Sequence, residues 1–476
     1  MSFATPMFLW LFLPAVLILL LVAPWRARNV VVAAASLVFY SVGGGALTLL
    51  LLASIAFNYA GGILVEPAPY RTQRARAKVL AAVVAADLSM LAVWKYAGFA
   101  SRQVRELTDA LGLGQSPVLS IALPIGISFY TFHQISYVVD VYRGVSPAQR
   151  SVVGFITYIA MFPQLIAGPI VRYHEIADQL TPRPRRRVDD IIDGFPRFAL
   201  GLTKKVVIAD SLAPLATPLF DGPDQSVAAG TAWVGLLAYT LQIYFDFSGY
   251  SDMAIGLGRM IGFRLPENFD RPYSAVTITD FWRRWHMSLS RWFRDYVYIP
   301  LGGNRRGWAR TYRNLVLVFL LTGAWHGANW TFVAWGAYHG LLLIGERLIG
   351  SPVRMAPLHV AVRRALTLGL VMIGWALFRA HDLPGAWDVI QSLVGANGWG
   401  LDPAMEAALT NRRATVLFLA SFVVLLPPTF VFGRYLDEAR SEAADRARLA
   451  VSTLGMAYSA TLIAAGTFSP FLYYQF

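Results

Sequence analysis

The sequence predicts an all-α, polytopic integral membrane protein, and three observations carry that expectation. The first is composition: 56% of residues are hydrophobic and 14% are charged, with a mean hydropathy of +0.50, whereas a soluble domain carries about 25% charged residues. The second is that several apolar stretches approach or exceed the roughly 20 residues a helix needs to cross a bilayer. The third is that basic residues fall in short loops between those stretches, such as Arg71, Arg74, Arg76 and Lys78, or Arg183, Arg185, Arg186 and Arg187. That is the distribution of loops held on the cytoplasmic side against anionic lipid. The net charge of +13 is therefore read as membrane topology, not as affinity for nucleic acid. No polar block is long enough to fold alone, so residues 1–476 are expected to form a single membrane domain. The spans add up to roughly ten to twelve crossings, with broken and interfacial helices between them.

The first span is expected over 7–24. No basic residue precedes its apolar run, unlike a cleaved signal peptide, so it reads as retained, with Arg26 and Arg28 inside the cell. Segments 29–42 and 45–65 form a hairpin about the Gly43-Gly44-Gly45 turn. Segment 79–97 is the next span, with Asp87 and Lys95 near its ends. In 118–142, Pro124 and Gly126 interrupt the apolar run. A broken helix is tolerated at membrane depth only where protein or a cavity lines it. Ser128, Tyr130, Thr131, His133, Gln134 and Tyr137 then make a polar stripe, which either lines a tunnel or knits helices together.

Segment 152–171 is broken by Pro163 and by Gly168-Pro169. Lys204 and Lys205 interrupt the apolar pattern of 191–217, and snorkelling from an interfacial helix would accommodate them. A span over 227–243 leads into Asp246, Ser248 and Asp252, of which Asp246 or Ser248 suits the start of a new helix. Residues 264–285 read as a surface loop, with Thr279 or Asp280 as N-cap for a helix carrying His286. On that helix His286, Ser290 and Phe293 would share a face. LGGNRRGW (301–308) is a basic turn. Further spans are expected at 313–325, 331–349, 361–378, 414–431 and 449–465, with a charged connector between the last two and an aromatic tail, SPFLYYQF, suited to an interface. No internal repeat of the transporter kind is evident.

The densest polar and aromatic chemistry lies in 281–339. His286 sits among Trp282, Arg283, Arg284, Trp285, Arg291, Trp292 and Arg294, and His326 sits in TGAWHGANW. An imidazole at membrane depth is costly and usually has a task or a fixed partner. His174 and His381 adjoin charges and read as solvated, His359 as interfacial, and His339 as a satisfied packing residue. The setting of His326 differs. Gly323 and Gly327 would let a substrate approach, Trp325 and Trp330 would wall a pocket, and Asn329 would donate to an oxyanion. A neutral imidazole shielded from water suits the general base for a hydroxyl. The sequence has no cysteine, hence no disulfide and no cysteine nucleophile. Neither HExxH nor a paired histidine spacing for a metal occurs, so no catalytic metal is expected, and GxSxG and P-loop motifs are absent too.

Five segments carry a family resemblance: LPIGISFYTFHQISYVVDVYRG (123–144), FPQLIAGPIVRY (162–173), YFDFSGYSDMAIGLGRMIGFRLPENFDRPY (244–273), FWRRWHMSLSRWFRDYVYIPLGGNR (281–305) and TGAWHGANWTFVAWGAYHG (322–340). With these the chain resembles the membrane-bound O-acyltransferase (MBOAT) superfamily, and within it the alginate O-acetyltransferase branch. The resemblance implies a catalytic core within 118–345 and a central tunnel, His326 as the catalytic histidine and His286 as a second signature position. It implies no permanently bound cofactor. It implies an acetyl group drawn from the cytoplasmic side of the bacterial inner membrane, as acetyl-CoA, and passed outward. The acceptor would be a polysaccharide such as alginate, reached directly or through a periplasmic SGNH-type acetyltransferase partner.

On this reading Arg283, Arg284, Arg305 and Arg306 attract the donor's phosphates, and His286, Asn329 or Trp325 positions groups or stabilises the oxyanion. Related branches D-alanylate teichoic acids or acetylate peptidoglycan or cellulose. A flippase for a polar lipid-linked substrate and a non-catalytic scaffold are the readings from other classes.

Overall fold

The computed structural model describes residues 1–114, 116–184, 186–222, 226–350, 359–426, 442–466 and 470–472, and among them every regular element is helical. Helices Trp25–Gly44, Leu47–Val65, Gln73–Ala110, Val360–Arg379 and Glu442–Ala464 are long and apolar enough to cross a membrane, and Met7–Val22 is a shorter apolar helix. Their outward faces carry large exposed apolar residues such as Val22, Leu49, Val93 and Leu454, as a lipid-facing surface requires. Part of the expected 414–431 span, most of the charged connector after it and most of the aromatic tail lie outside the described residues, as does Arg185.

Contacts divide the chain into two compact units, Met1–Phe195 with Ala254–Pro266, and Pro196–Met253 with Glu267–Phe476. In the first unit the expected hairpin forms from Arg28–Gly44 and Leu47–Val65. The break predicted at Pro124 and Gly126 is present: Gly126 has φ +74°, and a Cβ there would lie 2.5 Å from the Leu165 carbonyl oxygen. Only glycine fits that turn. Helix Ile127–Arg143 follows it. Its polar stripe knits the unit together. Gln134 donates to Ser54 Oγ at 3.0 Å, Ser136 contacts the Tyr158 hydroxyl, and His133 Nε2 accepts from Val171 N at 3.3 Å. Asp87 lies mid-helix, not near an end, and accepts from Asn58 at 2.8 Å.

In the second unit two expectations about charged residues are overturned together. Lys204 and Lys205 do not snorkel to an interface. Both are in a π-helical turn, Lys204–Ala209, and both meet carboxylates. Lys204 Nζ lies 2.5 Å from Asp252, and buried Lys205 lies 2.6 Å from Asp246 and 2.8 Å from Asp210. Correspondingly, neither Asp246 nor Ser248 caps a helix. Both lie inside the continuous helix Ala229–Met260. The physical reason is close helix approach. A Cβ on Gly201 would come within 2.5 Å of the Gly249 carbonyl oxygen, so the two backbones nearly touch, as small residues allow in membrane helix pairs. Snorkelling is then sterically closed, and pairing offsets the cost of the buried charge.

Helix pair Trp308–His326 and Trp330–Ile349 shows the same device. Cβ atoms on Gly323 and Gly336 would meet the Phe332 and Phe319 carbonyl oxygens at 2.2 and 2.3 Å. A Cβ on Gly327 would lie 2.0 Å from the Phe332 ring. The glycines around His326 therefore serve helix packing, not substrate approach.

Candidate active site

His326 is the last residue of Trp308–His326, and the chain leaves it in an extended conformation at Gly327. It is almost fully buried, and its ring meets aromatic edges on three sides. Trp325, Trp335 and Phe378 have centroids 4.9, 5.1 and 5.1 Å away. A small cavity opens beside it, about 20 Å³ on a scale where one water needs roughly 10–15 Å³. Phe247, Trp285 and Trp375 wall it together with Trp335 and Phe378, and Asp246 and Leu472 also reach it. Trp375 is held in place by donating to the Tyr273 hydroxyl at 3.1 Å, which donates in turn to the Thr240 carbonyl at 2.7 Å.

His286 is not inside a helix. Thr277, not Thr279 or Asp280, caps helix Ile278–Arg284, and Thr279 is bound to Glu346. That helix ends at Trp285, and His286 (φ 44°, ψ 54°) precedes a second short helix, Met287–Phe293. The left-handed conformation is uncommon for a non-glycine residue, and it removes His286 from the helical face with Ser290 and Phe293.

Asn268 holds this bend. Its backbone carbonyl accepts from Met287 N at 2.9 Å. Its side-chain oxygen accepts from Ser288 N, Ser288 Oγ and His286 Nδ1 at 3.2, 2.7 and 3.1 Å. Because a backbone N–H also donates to that oxygen, it is the carbonyl end of the amide, and His286 Nδ1 must carry the proton. Assigned this way, Nε2 holds the lone pair. It is buried with no hydrogen-bond partner among the described residues. Phe247 stands edge-on to the ring at 4.7 Å.

The structure gathers the expected site residues unequally. His286 and His326 flank Trp325, whose ring is 6.1 Å from one and 4.9 Å from the other, but only His326 lines the cavity. Asn329 does not line it. Asn329 caps Trp330–Ile349 by accepting from Thr331 N and donates its amide to the His381 carbonyl at 2.7 Å. Arg284 is engaged by Asp280 at 2.8 Å and Asp270 at 3.5 Å. Arg283, Arg305 and Arg306 are exposed, the last two on a turn pinned by Asn314 Nδ2 to the Leu301 and Gly303 carbonyls.

His339 is fully buried among Trp282 and Trp335 as a packing residue, but neither ring nitrogen has a hydrogen-bond partner among the described residues, so it is not satisfied. His174 pairs with Asp140 at 2.8 Å, His381 with Asp221 at 3.1 Å, and His359 caps Val360–Arg379. Asn268 and Asp246 are the site-proximal residues that sequence reasoning missed, although both lie in the 244–273 segment. Among the described residues, no group of three or more histidine and acidic side chains is gathered as a metal site.

Comparison with known proteins agrees with this architecture. Residues 145–378 match the model of MBOAT, the membrane-bound O-acyltransferase family. The chain is 43% identical to probable alginate O-acetylase AlgI of Azotobacter vinelandii, with all of both chains covered. It is 46% identical to probable alginate O-acetylase AlgI of Pseudomonas aeruginosa, over 89% of this chain and 81% of the relative. It is 35% identical to the peptidoglycan O-acetyltransferase of Helicobacter pylori, over 90% and 86%. The chain belongs to the membrane-bound O-acyltransferase family and is an O-acyltransferase.

Proposed function

We propose that this protein is a multi-pass inner-membrane O-acetyltransferase. It takes an acetyl group from acetyl-CoA on the cytoplasmic side for O-acetylation of an exopolysaccharide of the alginate type, directly or through a periplasmic SGNH-type partner. Residues 118–345 form its catalytic core. The observation that carries the reading is His326 at an aromatic-walled cavity, in a chain 43% identical over its full length to a probable alginate O-acetylase.

His326 takes the proton of the acceptor hydroxyl as the oxygen attacks the thioester carbonyl. The new C–O bond forms, the C–S bond breaks, and the proton passes to the leaving sulfur. The aromatic walls exclude water, which protects the thioester from hydrolysis. Trp325 lies between the two imidazoles, and His286, outside the cavity, acts through Trp325 to position the wall beside His326. The exposed Arg283, Arg305 and Arg306 attract the donor's phosphates, with Arg284 contributing least because carboxylates already engage it.

The test is His326→Ala in membranes supplied with radiolabelled acetyl-CoA and acceptor. Transfer should fall by about a hundredfold or more, with the protein still inserted at wild-type level. Transfer within a few fold of wild type would remove His326 as the base. Movement of a lipid-linked substrate without a covalent acyl change would replace the transferase reading with a flippase.

A further inference from the structure

One wall of the cavity beside His326 differs from the rest. Trp335, Trp375, Phe378 and Phe247 project from long helices or are locked by neighbours, as the Trp375–Tyr273 bond shows. Leu472 comes from the C-terminal segment. That segment is not held by helix packing alone. Leu472 N donates to Asp246 Oδ2 at 3.0 Å, and Lys205 Nζ donates to the Pro470 carbonyl at 3.2 Å. Lys205 also stands over the Phe471 ring at 4.7 Å, and that ring meets Tyr250 edge-on at 4.9 Å. Lys205 and Asp246 are themselves paired at 2.6 Å and buried. A buried ion pair thus grips three successive residues and places one leucine side chain at the reacting histidine.

We propose that Leu472 sets the length of the acyl group the enzyme accepts, and that the Lys205–Asp246 pair is the anchor that holds it there. The inference rests on the acetyl-transfer reading above and deepens it. The cavity has room for about one water, hence about one methyl group. An acetyl methyl fills it, and a propionyl chain would have to displace Leu472. One methylene against a fitted apolar wall is worth roughly 10–200-fold in discrimination.

The test uses the full chain in membranes, with acetyl-, propionyl- and butyryl-CoA as donors. Leu472→Ala should raise the propionyl-to-acetyl ratio of kcat/KM by about tenfold or more. Leu472→Phe should fill the cavity and depress acetyl transfer. Asp246→Asn should loosen the anchor and move the ratio in the same direction as Leu472→Ala. Asp252→Asn breaks the adjacent Lys204 pair, which has no bond to residues 470–472, and should leave the ratio where it was. If Leu472→Ala does not accumulate, Leu472→Val carries the same test with a smaller shift. A ratio within twofold of wild type, with acetyl transfer measurable, overturns the inference and leaves the function standing. A wild-type chain that transfers no acetyl group sinks the function itself.

Discussion

His133 and His326 are both buried imidazoles on membrane-protein helices, in the first and the second unit, yet their surroundings differ in kind. His133 packs against the Tyr158 ring at 5.9 Å, and its Nε2 accepts from the Val171 backbone. It satisfies an amide at a break in the chain, where the residue after Gly168-Pro169-Ile170 would otherwise lose its partner. His326 has aromatic edges around it and a cavity beside it. Burial alone therefore does not separate a structural histidine from a chemical one. What separates them is whether there is space beside the ring for another molecule. An unpartnered ring nitrogen does not decide the matter, since His133 Nδ1 and His286 Nε2 are both without a hydrogen-bond partner among the described residues. His286 falls outside by the criterion of space, because it does not line the cavity.

That division is broken or sharpened most strongly at His286. His286→Ala should lower kcat by about a hundredfold, the loss that displacing the wall beside His326 by about 1 Å can cause. Asn268→Ala removes the acceptor that fixes the tautomer and the left-handed bend. Misplacing a positioned group by about 1 Å can cost about a hundredfold. We expect a fall in kcat of ten- to a hundredfold with KM for acetyl-CoA nearly unchanged. Asn268→Asp keeps the acceptor oxygen and should restore most of the rate, which a purely structural role for Asn268 in packing would not predict. Single-turnover and steady-state kinetics on the two variants separate these outcomes.

Much of the fold was legible because it rests on local chemistry. Pro124 with Gly126 and Pro163 with Gly168-Pro169 mark breaks that the structure contains, and the hairpin about Gly43–Gly45 follows from its turn residues. His326 was legible for a similar reason: one imidazole among tryptophans and glycines in an apolar stretch is conspicuous. The partners were not legible. Lys205 with Asp246 is joined by helix packing and Asn268 with His286 by a loop folding back, and no spacing rule links residues brought together in either way. The glycines show why a correct residue can acquire a wrong purpose. Gly323 and Gly327 look like room for substrate, and in the structure that room is already filled by the backbone and ring of Phe332. The bend at His286 was illegible because the run 281–293 reads as one helix, and what stabilises the break includes Asn268 and Asp270 from the preceding loop.

At His133 the expected effect is smaller and of another kind. His133→Ala leaves the Val171 amide buried without an acceptor, a cost of about 1–3 kcal/mol. The protein should lose resistance to heat and detergent, seen as an earlier aggregation midpoint in a fluorescence-detected melt. The molecules that remain folded should keep kcat within a few fold of wild type. A hundredfold fall in kcat with unchanged melting would place His133 among the chemical histidines and erase the distinction drawn between the two units.

Among the arginines the separation is by prior pairing, with the smallest expected effect. Arg284 is occupied by Asp280 and Asp270, whereas Arg305 and Arg306 are exposed, with no ion-pair partner among the described residues. A cation already paired has little attraction left for a phosphate, and an exposed one is screened by salt over about 10 Å at 0.1 M. The double variant Arg305→Ala/Arg306→Ala should raise KM for acetyl-CoA by roughly three- to tenfold at low salt, with kcat unchanged, and the difference from wild type should shrink as salt rises. Arg284→Ala should alter KM less than twofold while lowering stability slightly, since it frees two carboxylates. If Arg284→Ala raises KM more than the double variant does, the donor's phosphates compete for a guanidinium the fold already holds, and prior occupation would no longer distinguish structural from binding residues on this face.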